Sequence, residues 1–179
     1  MDDFAVDEYT HNDLADIFKY RFDVRVNRYY PIVPKSIEEL GDYLEKHIIK
    51  FGTCPGYSLF IIRKYGDVIG DIGINCWGYQ SKICGIGYAI RPESQRKGYA
   101  YNSLRIFINE LFRRYEKKRI QATLDPENTP SMKLLEKLEF KKEGNLREVE
   151  YKNGIWKDEA IYGLLNEEWN KNSISKFST

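Results

Sequence analysis

Near residue 90 the hydrophobic pattern of the chain changes period. Lys82 to Ile90 alternates as a β-strand does, whereas Tyr99 to Tyr115 sets Leu104, Phe107, Ile108, Leu111 and Phe112 on one helical face. Arg105, Asn109, Arg113 and Arg114 fall elsewhere on that helix, and a further strand, Arg119 to Leu124, follows it. Strand, long helix and strand make a crossover unit, which lays its helix across a sheet holding at least one parallel pair. The chain is thereby confined to the mixed α/β folds.

The flanking segments complete the order. Asn12 is expected to cap a first helix with Leu14, Ile17 and Phe18 on one face. Ser36-Ile37-Glu38-Glu39 reads as a capping box opening a second helix, striped by Leu40, Tyr43, Leu44, His47 and Ile48. Prolyl segments around Pro31 and Pro34 separate the two. Tyr57 to Ile62 and Val68 to Trp77 read as strands, made antiparallel by the short turn Tyr65-Gly66-Asp67. Gly85 and Gly87 inside the third strand mark a bulge, or a place where something approaches the backbone closely. Asn128 to Leu138 is a short helix carrying Met132, Leu135 and Leu138. Phe140 to Lys152, Asn153-Gly154 and Ile155 to Leu165 form a closing hairpin. The order ααβββαβαββ describes an α/β (α+β) fold with a mostly antiparallel sheet and one crossover. No repeat, low-complexity stretch or Pro/Gly/Ser linker divides it.

Composition removes several function classes. A chain of 179 residues has room for one domain with a real core, and 42% hydrophobic with 31% charged residues is a globular balance. A net charge of +1 draws neither nucleic acid nor anionic membrane. The longest apolar stretches, such as Tyr57 to Ile62, are strand-sized, so no bilayer span is expected. Met1-Asp2-Asp3 lacks the apolar core of a secretory signal. Cys54, Cys76 and Cys84 contain no C-x-x-C and read as reduced thiols of a cytoplasmic protein. His11 and His47 have no paired ligand spacing, so no metal is expected.

Chemistry concentrates in Arg91-Pro92-Glu93-Ser94-Gln95-Arg96-Lys97-Gly98-Tyr99-Ala100, between the strand ending at Ile90 and the long helix. A loop so placed offers free N–H groups at the positive end of a helix dipole, which suits a diphosphate. Gly98 lets the backbone come close to such a ligand, Ala100 keeps the first turn uncrowded, and Arg96 and Lys97 add cations. The segment is no P-loop, and Gly85-x-Gly87 lacks the third glycine of a dinucleotide fingerprint.

Gln95-Arg96-Lys97-Gly98-Tyr99-Ala100 resembles the Q/R-x-x-G-x-G/A pyrophosphate motif of the GNAT superfamily of N-acetyltransferases. The later series Asn128-Thr129-Pro130-Ser131, Leu135 to Phe140, Glu143-Gly144, Leu146-Arg147-Glu148, Asn153-Gly154, Asp158 and Tyr162-Gly163-Leu164-Leu165 resembles its RimJ/RimL-type branch. That resemblance implies a GNAT fold over residues 1–170, with a C-terminal tail at 171–179. It implies a sheet of about seven strands flanked by helices, with a splayed pair between the strand ending at Ile90 and the one at Ile120 to Leu124.

By the same resemblance the cosubstrate is acetyl-CoA and no metal takes part. N–H groups near Ala89, Ile90 and Arg91 would hold the pantetheine and polarise the acetyl carbonyl. Amides of Gln95, Arg96, Lys97, Gly98, Tyr99 and Ala100 would hold the pyrophosphate, and Asn128 the pantetheine arm. Ser131 would give the departing thiolate a hydrogen bond or proton, and Glu150 would act as base, directly or through water. Other branches place a tyrosine acid where this chain has Leu135, and Glu139 stands where glycine is usual. Arg21 to Tyr30, basic and aromatic, reads as a loop shaping an acceptor pocket, with Trp77 and Tyr79 as further contributors.

The acceptor implied is a primary amine, on a protein N-terminus or a small molecule, without nucleic acid or membrane; the enzyme would be a monomer or homodimer. Plainer readings stand beside these: Asn128 as a helix cap, Ser131 as a first-turn serine, Glu150 as a solvent-facing strand residue. A CoA-binding GNAT-like domain acting as sensor or scaffold without transfer is the alternative, and a ribosome- or RNA-binding module a further one.

Overall fold

The computed structural model describes residues 4–29, 35–52, 56–152 and 154–169. Pro31, Pro34, Cys54, Asn153 and the tail at 171–179 lie outside them. Seven strands form one sheet in the order β1-β2-β3-β4-β5-β7-β6. The strands are β1 (Phe4–Glu8), β2 (Gly56–Lys64), β3 (Asp67–Trp77), β4 (Ile83–Ile90), β5 (Arg119–Leu124), β6 (Lys141–Lys152) and β7 (Ile155–Leu165). The helices are α1 (Leu14–Arg21), α2 (Val24–Asn27), α3 (Ile37–His47), α4 (Tyr99–Arg113) and α5 (Thr129–Lys137).

Two features at the N-terminal end differ from the sequence reading. A short strand, β1, precedes the first helix and pairs antiparallel with β2 at the sheet edge. The first helix is opened not by Asn12 but by Thr10 and Asp13. The Thr10 N–H and hydroxyl both donate to the Asp13 carboxylate, at 2.9 and 3.0 Å. Arg63 on β2 also reaches that carboxylate at 2.6 Å, so the cap is tied to the sheet, an option Asn12 does not have. The Ser36 box is present in modified form: Ser36 Oγ accepts from the Glu39 N–H, while Glu39 reaches back to the Lys35 N–H.

The sheet is covered on both faces. Ile72, Ile74, Cys84, Ile86 and Ile120 pack under α4 and α5 through Leu104, Ile108, Leu111 and Leu135. Leu59, Ile61 and Ala89 pack on the other face under α1 and α3 through Ile17, Tyr20, Leu40 and Leu44. Trp169 is buried in the first of these cores, against Phe112.

The feature that makes a site is a parted strand pair. β4 pairs in parallel with β5 only from Ile83 to Gly85, against Arg119 to Gln121. Beyond that point β4 stays with β3 as far as Ile90, and β5 stays with β7 as far as Leu124. The β3–β4 register is unbroken, so neither Gly85 nor Gly87 marks a bulge, and the close approach is at Gly85 alone. A Cβ on Gly85 would press on the Trp77 ring at 3.1 Å.

Candidate active site

Where β4 and β5 separate, a cavity of about 1060 Å³ runs through the sheet. That is the upper end of the usual range for a ligand site, about 300–1,000 Å³. At one end it is lined by Gln95, Arg96, Gly98, Tyr99 and Ala100. Gly98 has φ +79° and precedes α4 without a side-chain cap. The helical ladder begins with the Asn102 N–H on the Gly98 carbonyl. The N–H groups of Tyr99, Ala100 and Tyr101 precede that rung and have no intrahelical acceptor. Arg96 also lies in the left-handed region, at φ +59°. Two left-handed residues within three positions, Arg96 and Gly98, are the backbone habit of anion-binding nests. Arg96 and Lys97 form no ion pair among the described residues and are exposed.

Three of the expected donors are already used. The Gln95 N–H bonds the Pro92 carbonyl at 3.2 Å, closing a tight turn, while its side chain donates to the Ile90 carbonyl at 2.9 Å. The Arg91 N–H bonds Ile69 of β3 at 2.9 Å, so it is not free for a ligand. Bonded positions alternate along an antiparallel ladder, so Ala89 also turns its N–H toward β3, while Ile90 and Tyr88 turn theirs toward the gap. The open amides of β4 are therefore at Tyr88 and Ile90. The Arg91 guanidinium is likewise engaged, with Ser94 Oγ at 2.9 Å and the Val68 carbonyl at 3.0 Å, and it braces the loop.

Asn128 and Ser131 stand on the α5 side of the gap. Asn128 Oδ1 accepts the Ser131 N–H at 3.2 Å, so the capping role is real. Its Nδ2 has no partner among the described residues, and Asn128 also lines the cavity. Ser131 Oγ lies 2.6 Å from the hydroxyl of Tyr88, a residue the sequence reading passed over. Burial pushes the Tyr88 hydroxyl up to about 12, so it stays protonated.

Glu150 lies across the sheet. Along β7 the buried residues Ala160, Tyr162 and Leu164 face the α4–α5 core, so Glu159 and Lys157 face the other way. Glu150 pairs with Lys157 and shares that face, partly buried and lining the cavity beside Glu159. Its position depends on an irregularity: from Leu146 to Glu150 the register slips, Glu148 takes φ +50°, and its N–H is held by Asp158 at 3.0 Å. Burial, then the charge of Glu150, raises the Glu159 carboxyl above its ordinary value. Neither Glu159 nor the slip that brings Glu150 beside it is visible in the sequence. Lys157, a cation on this face, is held by Asp125 at 3.0 Å.

The outer wall is built by Arg21, Arg25, Val26 and Tyr29, with Tyr43, Tyr57, Asn75 and Trp77 opposite. Arg21 ends α1, and Val24–Asn27 is the short helix α2, so much of this expected loop is helical. Lys152 of β6 closes the wall by donating to the carbonyls of Asn27 and Arg28 at 3.3 and 3.0 Å. Tyr79 does not line the cavity and is 84% exposed. Glu139, at φ +70°, occupies the left-handed position after α5 where glycine is usual, and it does not line the cavity.

A parted parallel strand pair with free amides at its mouth suits an acyl group carried on a diphosphate-bearing thioester, and the residues present fit coenzyme A. Residues 5–141 match the acetyltransferase (GNAT) domain model, and the chain belongs to that family. It is an N-acetyltransferase, as its relatives are named. The N-acetyltransferase p20 of Bacillus licheniformis is 31% identical over 87% of this chain and 89% of its own. The solved GNAT acetyltransferase of Bacillus anthracis is similar at 26% identity, with a TM-score of 0.77, covering 92% of this chain and 96% of that one. A RimL-type ribosomal L7/L12 α-N-protein acetyltransferase, solved with coenzyme A, shares the fold with a TM-score of 0.82 at 18% identity, covering 92% and 95%.

Proposed function

We propose that this enzyme transfers acetyl from acetyl-CoA to a primary amine, of a peptide or protein N-terminus or of a small molecule, by direct attack with both substrates bound. One observation carries the reading. A single cavity joins the free amides before α4, the strand gap, and the carboxylates of Glu150 and Glu159 on the opposite face.

Acetyl-CoA supplies the activated acyl group as a thioester. The amides from Gly98 to Tyr101, at the positive end of α4, hold the pyrophosphate, and Arg96 and Lys97 add charge. Tyr88 and Ile90 offer backbone N–H groups along the gap. A donor of this kind aimed at a developing oxyanion is worth about 3 kcal/mol. Asn128 binds the pantetheine arm through Nδ2 while its Oδ1 caps α5. Glu150 takes the amine proton on the α1–α3 face, and Ser131 stabilises the sulfur from the α5 face. The base and the hydroxyl that stabilises sulfur thus work from opposite sides of the sheet, which keeps the base away from the thiolate. The RimL-type neighbour is named for an α-amine, which supports that acceptor class alongside small amines.

Release of free CoA thiol, followed over a panel of short peptides with free N-termini and of diamines, tests the reading. Release should require an amine, and Glu150→Gln should lower turnover by about 100-fold, the lower end for loss of a general base. If acetyl-CoA binds yet no amine yields CoA, the chain is a CoA-binding module and not a transferase.

A further inference from the structure

We infer that Tyr88 is a positioning residue for the leaving group: it holds the Ser131 hydroxyl by a 2.6 Å hydrogen bond and directs the serine proton toward the sulfur of CoA. The inference rests on the role given to Ser131 above. It assigns a task to a strand tyrosine in a chain whose helix carries Leu135 at the position where other branches place a tyrosine acid.

The chemistry of the pair decides which way it works. As the amine nitrogen bonds the acyl carbon, the carbon–sulfur bond breaks and its electron pair goes to sulfur. The amine proton goes to Glu150. Sulfur leaves as a thiolate, whose conjugate acid has an ordinary pKa of about 8.5. The Tyr88 hydroxyl, buried and pushed up to about 12, is a far weaker acid. Handing its proton to sulfur would run uphill by roughly three-thousandfold. An alcohol is weaker still, so neither hydroxyl gives up its proton, and both act as hydrogen-bond donors. The thiolate is protonated afterwards by solvent, and Glu150 returns its proton to solvent on the other face.

Direction within the pair follows from the same comparison. A phenol is the stronger donor and an aliphatic oxygen the better acceptor, so Tyr88 donates and Ser131 accepts. The Ser131 hydroxyl has no other hydrogen bond among the described residues, although a serine in a helical first turn commonly turns back to a carbonyl of the preceding turn. With Tyr88 on its lone pair, the Ser131 hydrogen is free to face the cavity, which both residues line. Tyr88 itself is fixed by its place in β4, opposite Ile72, and by packing on the α4–α5 core.

The test is a double-mutant cycle of Tyr88→Phe and Ser131→Ala, read on the full chain in two ways. Steady-state kinetics with the best amine of the panel should show turnover down about tenfold in each single variant, with KM for acetyl-CoA within about twofold. The double variant should be no slower than Ser131→Ala, because Tyr88 acts only through the serine. Titration of bound CoA, followed by its ultraviolet thiolate absorbance, should show the thiol pKa raised equally in all three variants. Arg96, Asp125, Lys137, Glu150 and Glu159, charged groups that line the cavity with Arg21, Arg25 and Glu39, are unchanged throughout. Wild-type turnover in Tyr88→Phe beside a slow Ser131→Ala, or losses that multiply in the double variant, would overturn the proposal alone. Wild-type turnover in Ser131→Ala would remove the serine's role, and the tyrosine's with it, while leaving acetyl transfer standing.

Discussion

Asp71→Ala should lower the melting temperature by about 10 °C and raise KM for the amine acceptor more than KM for acetyl-CoA. Asp71 sits in the middle of β3 with its side chain fully buried. Arg21 grips it through two bonds, Nη2 at 2.6 Å and Nε at 3.2 Å, and the Tyr20 hydroxyl donates to it at 2.5 Å. The Arg21 side chain is only 15% exposed. Removing one member of a buried ion pair strands the other charge away from water, at a cost of about 3–5 kcal/mol. Replacing both by apolar residues of like volume should cost much less, so Arg21→Met with Asp71→Leu should recover most of the stability. The functional part follows from topology. Arg21 ends α1 and lines the acceptor wall with the α2 residues Arg25 and Val26, whereas the amides before α4 lie beyond the far end of β4. A melting temperature within about two degrees of wild type would show the pair to be incidental.

Gly98→Val should weaken acetyl-CoA binding by at least about 100-fold with little loss of stability. At φ +79° the backbone of Gly98 is in a region that β-branched residues reach only under strain. A Cβ there would meet no atom within 4 Å, so the penalty is conformational and not steric. The loop can relieve it by leaving the left-handed conformation, which turns its amides away from the cavity. Hydrogen bonds to a charged group contribute about 1.5–3 kcal/mol each, so loss of two gives the stated factor. Asparagine tolerates this conformation, and Gly98→Asn should retain most of the affinity. Equal binding by wild type and Gly98→Val would mean that the loop does not hold the diphosphate.

How much of this was legible in the sequence depends on the length over which each signal is written. The crossover from β4 through α4 to β5 is spread over some forty residues of consistent period, and the structure has it where the pattern places it. Strand β1 escaped because five residues bounded by acids, at a sheet edge, carry too little periodicity. Asn12 looked like a cap because its residue type is right, but Thr10 and Asp13 satisfy the helix end and bond Arg63 as well. The loop at Gln95 to Ala100 was readable as an anion site. Which amides were free was not, because one turn uses Gln95 and strand parity uses Arg91. Tyr88 left a faint trace, a polar-tipped aromatic in the inward series Cys84, Ile86, Tyr88, Ile90. Asp71, a charge inside Val68-Ile69-Gly70-Asp71-Ile72, announced a partner without saying that it lay fifty residues back at Arg21. Glu159 left no trace, since its meeting with Glu150 depends on a register slip between β6 and β7.

Residue-resolved amide exchange, measured by NMR with and without CoA, tests the central claim that the parted strands and the start of α4 form one cofactor cradle. CoA should slow exchange at Tyr88, at Ile90 and from Gly98 to Tyr101, while leaving Ala89 and Arg91 as they were, since their N–H groups already face β3. Protection that skips these six amides, or that appears at Ala89 and Arg91 instead, would contradict it.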